Sequence, residues 1–204
     1  MNELARVKFS NVISYKFKNM SHLNNSILNL SQSKRLFSLL DSPILIHSQS
    51  TLPTLTVIPW RFLIQLKQQA KQHSLDLFNI RLSGGAASFI LDPTGDLAFR
   101  DLDFLISISN VTSESNWLNI KQAVFDSLPL TTKTNQYLST EIYTEKIIRI
   151  INEHDRWGLI SLRNADGRNL ELVEKRQKFI FFICFFSPSI EICRTYEKTI
   201  SIFR

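Results

Sequence analysis

The sequence predicts an α+β fold, because helix and strand signals follow one another along its central part. Residues 57–75 repeat apolar side chains at the spacing of one helix face. Residues 99–108 carry the strongest strand pattern, and the Asn-Ala-Asp-Gly sequence at 164–167 is typical of a hairpin between two further strands. With 204 residues, 44% of them hydrophobic, the chain is long enough to bury one core.

Three zones differ in composition. Residues 1–30 are rich in Asn and Ser with little periodicity, which predicts a disordered leader. Residues 31–173 carry the dense helix and strand signals and predict a single globular core. Residues 174–204 form an atypical tail, charged at first and then nearly all Phe and Ile.

The remaining elements of the core follow from local patterns. Short strands are expected at 78–82, 159–163 and 168–173, and Asp92-Pro93-Thr94-Gly95 is a turn by composition. Helices are expected at 31–40, 86–91, 117–128 and 141–152. The last of these helices would present Lys146 either to a phosphate or to solvent.

Composition limits the classes of protein to consider. No apolar run approaches the roughly 20 residues of a membrane-spanning helix. The only cysteines, Cys184 and Cys193, suit neither a zinc site nor a disulfide framework. A reducing compartment is therefore the expected setting, which means the cytoplasm, with the nucleus as a second location.

The net charge of +6 does not by itself indicate nucleic-acid binding. Residues 174–204 contain six basic and three acidic side chains, so the tail supplies half of the excess. The other half is spread over 173 residues.

Two carboxylates dominate the chemistry. Asp101 and Asp103 lie two apart within a strand pattern, so their side chains are expected on one face while Leu102 enters the core. Adjacent carboxylates repel each other unless a cation lies between them, and magnesium prefers such oxygen ligands. The plain alternative is an exposed strand with two solvated aspartates.

A pair of glycines precedes this strand. Gly84 and Gly85 stand between a strand and a short helix, and two of only five glycines in the chain are adjacent here. Glycine lets the backbone approach a bulky anion, and the free amides of a helix N-terminus hold phosphate. An ordinary tight turn would use the same residues.

Glu171 is the candidate third carboxylate. It alternates with Leu170 and Leu172 in a strand that follows the predicted hairpin. In an active site it would hold a metal ion or accept the proton of an attacking hydroxyl. A solvated strand glutamate is the structural alternative.

A Gly-Gly turn followed by Asp-x-Asp on the next strand resembles the polymerase-beta-like nucleotidyltransferase superfamily. The resemblance implies a mixed sheet with helices mainly on one face. More closely, the chain resembles the terminal nucleotidyltransferase 5 poly(A) polymerases, also called the family with sequence similarity 46. The matching stretches, in order, are 44–47 (ILIH), 52–55 (LPTL), 81–88 (RLSGGAAS), 100–103 (RDLD), 143–146 (YTEK), 155–162 (DRWGLISL) and 167–172 (GRNLEL).

This resemblance implies an activity and a site. Gly84, Gly85 and Ser88 would form the loop that binds the ATP triphosphate. Asp101, Asp103 and Glu171 would be the catalytic, magnesium-binding carboxylates. The reaction would be adenylyl transfer from ATP to an RNA 3′ hydroxyl with two magnesium ions, which stabilises mRNA by extending its tail.

The sequence departs from the family after residue 173. The family continues into a long helical region that closes over the base and builds the RNA path, whereas here a Phe-rich run follows. We interpret the chain as C-terminally truncated, or as a translation that enters non-coding sequence. The alternative is a divergent tail that packs its Phe-rich run on the sheet. In this form the chain is expected to be weak or inactive, since catalysis requires the acceptor hydroxyl in line.

Two other functions remain open from the sequence. One is an inactive fragment or pseudoenzyme that acts through protein interaction. The other is a nucleotidyltransferase that acts on a non-RNA acceptor, which the superfamily signature alone does not exclude.

Overall fold

The computed structural model describes residues 28–99, 102–109, 114–129, 141–151, 156–164, 170–173 and 200–203. The helices in these ranges are α1 (Leu30–Asp41), α2 (Pro59–Gln72), α3 (Gly84–Leu91) and α4 (Glu114–Asp126), with a short 3-10 turn at Glu141–Tyr143. The strands are β1 (Ile44–Ile46), β2 (Leu55–Val57), β3 (Asp76–Ser83), β4 (Leu102–Ser109), β5 (Thr144–Ile151), β6 (Arg156–Leu162), β7 (Leu170–Val173) and β8 (Ile200–Phe203).

Six of the strands form one mixed sheet in the order β5-β6-β7-β4-β3-β8. The pair β4 and β7 is parallel, and the other neighbouring pairs are antiparallel. Strands β1 and β2 form a separate hairpin. The predicted α+β fold with a mixed sheet is confirmed.

Local sequence explains where the first two helices begin. Asn29 caps α1: its side chain accepts a hydrogen bond from the backbone N–H of Gln32, whose side chain accepts one from the N–H of Asn29. This reciprocal pair satisfies two amides that an α-helix leaves open at its start. Pro59 occupies the first turn of α2, where its missing N–H costs nothing.

The sheet has one apolar face, and the helices pack against it. Alternate residues of β4 belong to the main core, as do Ile80 and Leu82 of β3 and Ile160 and Leu162 of β6. One small apolar cavity is lined by residues of β4, α2 and α4 together. The opposite face of β4 carries two buried polar residues, Asp103 and Ser107, with the buried Leu105 between them.

The prediction of a helix at 141–152 is wrong. The structure has a 3-10 turn followed by β5, which pairs antiparallel with β6. Ile147, Ile148 and Ile150 fit a helical pattern only in part, and β-branched side chains favour a strand once a pairing partner is present. Lys146 therefore lies on a strand, paired with Ser161.

Most of the predicted leader and tail lies outside the described residues. This holds for 1–27 and 174–199, so the boundaries at 30 and 173 stay predictions. At the far end, β8 adds an edge strand beside β3. In the described part of the chain, no helix has both the length and the apolar character that crossing a bilayer requires.

Tyr143 ties the loop before β2 to the start of β5. Its ring is 2% exposed, and its hydroxyl donates a 2.8 Å hydrogen bond to the carbonyl of Pro53. Burial raises the pKa of the Tyr143 hydroxyl above its ordinary value of 10.0. The neutral form therefore stabilises the fold below that value, and the contribution is lost as pH rises through the folded-state pKa.

We expect Tyr143→Phe to lower the free energy of unfolding by about 1 kcal/mol near pH 7, the value of one hydrogen bond. Above pH 10.0 the wild type should lose stability as Tyr143 ionises, and the variant should lose less. Urea unfolding of both proteins from neutral to alkaline pH measures the two effects. Parallel pH profiles would contradict the assignment.

The turn at 92–97, between α3 and β4, is organised by Asp92. Its carboxylate accepts hydrogen bonds from the Thr94 hydroxyl at 2.8 Å, the Asp96 amide at 2.9 Å and the Leu97 amide at 3.3 Å. These bonds, the one from Thr94 first, lower the pKa of Asp92 below its ordinary value of 3.8. Arg35 of α1 holds the same turn by donating to the Asp92 carbonyl at 2.7 Å.

A carboxyl with a lowered folded-state pKa stabilises the fold above pH 3.8, and this contribution is lost as pH falls through the lower value. Asp92→Ala should therefore remove part of the acid sensitivity of unfolding. Thermal unfolding between neutral and strongly acidic pH tests this. Asp96→Ala is the matched control, because it keeps the backbone amide that donates to the Asp92 carboxylate.

Candidate functional site

The turn from β3 into α3 lies directly against a carboxylate. Gly84 has a φ of +65°, a left-handed conformation that suits glycine, and it is the first residue of α3. A Cβ atom built on Gly84 would collide with the Asp103 carboxylate, and its nearest contact would be Oδ2. Both the dihedral angle and the space therefore require glycine here.

Asp103 is held near the start of β4. It pairs in register with Ser83, the residue just before Gly84, and only 5% of its surface is exposed. Its neighbours Leu102 and Phe104 point into the core on the opposite face. Packing of these two side chains thus fixes the direction in which the carboxylate projects.

Glu171 occupies the matching position on the other side of Asp103. Strand β7 runs parallel to β4, and residues 103 and 171 are register partners. Paired residues on neighbouring strands lie about 4.8 Å apart and share a face of the sheet. Asp101 lies outside the described residues, so its place beside Asp103 stays a prediction.

The register continues across the sheet and reveals two residues that the sequence analysis did not select. Ser83 and Ser161, 2% and 0% exposed, flank the two acidic positions on β3 and β6. We call the four-residue series Ser83, Asp103, Glu171 and Ser161 the polar row. Alternation in β6 was the available signal, since Ser161 stands between the core residues Ile160 and Leu162.

The predicted triphosphate loop has the required exposure. Gly85 is exposed, and Gly84 and Ser88 are half-buried in the first turns of α3. No side chain caps the start of this helix, because Ser83 makes no capping hydrogen bond. The first amides of α3 thus lie beside the polar row, where an anion would meet them and the positive end of the helix dipole.

The residues present fit a divalent cation. A buried carboxylate at 103 and a second acidic residue at the paired position 171 supply hard oxygen donors, and their like charges favour a cation between them. Among side chains that the structure describes, no group of three possible metal ligands occurs. Among the three predicted metal ligands, only Asp103 has a side chain that the structure describes.

We expect Gly84→Ala to destabilise the protein by more than the roughly 1–2 kcal/mol that a left-handed conformation costs a non-glycine residue. The added methyl group must also displace the carboxylate of Asp103. Chemical unfolding measures the loss.

Gly85→Ala is the matched control. A Cβ there would meet Phe99 Cβ at 3.4 Å, an ordinary van der Waals contact, and Gly85 is not among the positive-φ glycines. This variant should remain within about 1 kcal/mol of wild type, since alanine also favours the helix over glycine. Equal losses in the two variants would contradict the close approach of Gly84 to Asp103.

Comparison with known proteins gives the family. A family model described as Nucleotidyltransferase matches residues 28–199. Terminal nucleotidyltransferase 5B of Mus musculus is 34% identical over 155 residues, which cover 73% of this chain and 36% of the relative.

Two human proteins agree with this match. Terminal nucleotidyltransferase 5B of Homo sapiens is 34% identical over 148 residues, covering 69% of this chain and 35% of the relative. Terminal nucleotidyltransferase 5D of Homo sapiens is 32% identical over 161 residues, covering 75% and 41%. The matched region thus spans little more than a third of these curated relatives. The chain belongs to the family described as Nucleotidyltransferase, and the relatives to which it is similar carry the name terminal nucleotidyltransferase 5.

Proposed function

We propose that this protein transfers AMP from ATP to the 3′ hydroxyl of an RNA, and so extends the tail of an mRNA and stabilises it. The observation that carries the proposal is the register of Asp103 and Glu171 beside the glycine turn at Gly84. The names of the relatives, terminal nucleotidyltransferases, support transfer of a nucleotide.

In this reaction the RNA 3′ oxygen attacks the α-phosphorus of ATP. The bond from that phosphorus to the α–β bridging oxygen breaks, and pyrophosphate leaves with the electron pair. The hydroxyl proton passes to a base, for which Glu171 is the candidate. The bound RNA is thereby one nucleotide longer, and no oxidant or reductant is needed.

Each group of the chain has a defined task in this scheme. Gly84, Gly85 and Ser88, at the start of α3, bind the β- and γ-phosphates through backbone amides and a hydroxyl. Asp101, Asp103 and Glu171 would hold two magnesium ions, which would supply positive charge for the triphosphate and for the leaving pyrophosphate.

The buried position of Asp103 supports its role as a ligand. An ionised carboxylate that is 5% exposed requires compensation by hydrogen bonds or by positive charge. A second acidic residue at the neighbouring register position increases that requirement. A divalent cation meets it for both groups at once, because one such ion carries two positive charges.

The experiment is binding and turnover with the full chain. A fluorescent, non-hydrolysable ATP analogue is titrated with and without Mg²⁺, and incorporation of labelled AMP into an A-rich oligomer is followed in parallel. We expect Mg²⁺-dependent binding that ATP displaces, and Asp103→Asn should abolish this binding together with any incorporation of AMP. Asp96→Asn, an exposed acidic residue between α3 and β4, is the matched control and should leave both unchanged.

The outcomes separate the alternatives. Binding that survives in Asp103→Asn would overturn the site assignment. Labelling of a protein or small molecule in place of the oligomer would assign a non-RNA acceptor. No analogue binding by the folded wild-type chain would favour a protein that acts by interaction alone.

A further inference from the structure

Ser161 presents a buried hydroxyl without a hydrogen-bond partner. Its side chain is 0% exposed, and within the described part of the chain Oγ reaches no donor or acceptor. Leaving such a group unsatisfied destabilises the folded protein, so a buried hydroxyl of this kind requires an explanation. Alanine would fill nearly the same volume in this strand without that cost.

The position of Ser161 supplies the explanation. It is the register partner of Glu171, which is in turn the partner of Asp103. Its neighbours Ile160 and Leu162 belong to the helix-packed core, so Ser161 lies on the opposite face, which is the face of Asp103. The hydroxyl of Ser161 therefore belongs to the residue that follows Asp103 and Glu171 in the polar row.

We propose that Ser161 is a positioning residue of the carboxylate site, and this rests on the function proposed above. Its hydroxyl donates a hydrogen bond to the carboxylate that position 171 carries once a cation is bound there. A carboxylate oriented in this way holds the cation in a fixed geometry. Outer groups that orient metal ligands typically change metal affinity by about 10–100-fold when removed.

This role differs from a structural one in a measurable way. Without a bound cation the Ser161 hydroxyl has no hydrogen-bond partner among the residues that the structure describes, so its removal breaks no hydrogen bond with them in that state. Ser161→Ala should therefore be as stable as wild type, or more stable, in the presence of a chelator. The same variant should bind the cation more weakly.

The probe is Mn²⁺ alone, added to the full chain without nucleotide or RNA. The concentration of unbound Mn²⁺ is measured by its electron paramagnetic resonance signal. We expect Ser161→Ala to bind Mn²⁺ about 10-fold more weakly than wild type. Ser161→Thr keeps the hydroxyl and suits a strand, so it should retain most of the affinity.

Two controls make the test specific. Ser107→Ala removes another buried serine, 3% exposed, from the Asp103 face of β4 but outside the polar row, and it should bind Mn²⁺ like wild type. Asp103→Asn removes a proposed ligand and should lose Mn²⁺ binding.

Unchanged affinity in Ser161→Ala, with binding lost in Asp103→Asn, would overturn this inference and leave the proposed function standing. Unchanged affinity in both variants would overturn both proposals. Unfolding of Ser161→Ala in chelator would assign the hydroxyl a structural role and also overturn the inference.

Discussion

Position 84 satisfies two requirements at once, and the site depends on both. The backbone there is left-handed at φ +65°, which lets β3 end and α3 begin within one residue. The missing side chain also leaves the space that the Asp103 carboxylate fills. A helix N-terminus and a buried acid, which attract opposite charges, are thereby brought into contact. That combination suits a ligand made of a polyanion and a cation, which is what a metal-bound triphosphate is.

The sheet keeps this arrangement stable by separating its two faces. Residues of β3, β4 and β6 such as Leu82, Phe104 and Ile160 bury apolar area against the helices, and that burial provides the stability of the domain. The alternate residues are then free to carry polar groups at positions that the backbone fixes. The polar row exists because β7 enters the sheet between β4 and β6, where it brings Glu171 between Asp103 and Ser161.

Much of this fold follows from local sequence, and the exceptions have a common cause. Pro59 and the apolar spacing after it predict α2, and the Asp-Gly hairpin signal predicts that β6 and β7 pair. The register of β7 beside β4 joins segments about seventy residues apart and leaves no local signal. The same cause explains why local sequence predicts a helix where β5 lies, since the strand depends on pairing with β6. Local motifs predict Gly84 and Asp103 as site residues, whereas only the strand register places Ser161 beside them.

We propose that acidic groups of neighbouring strands share a cation beside the Gly84 turn. A crystal structure of the protein with Mn²⁺ and a non-hydrolysable ATP analogue tests it most directly, because manganese is located by its anomalous scattering. We expect a manganese peak within coordination distance of the carboxylates of Asp103 and Glu171, with the triphosphate against the first amides of α3. A manganese peak elsewhere, with the analogue bound away from the start of α3, would contradict it.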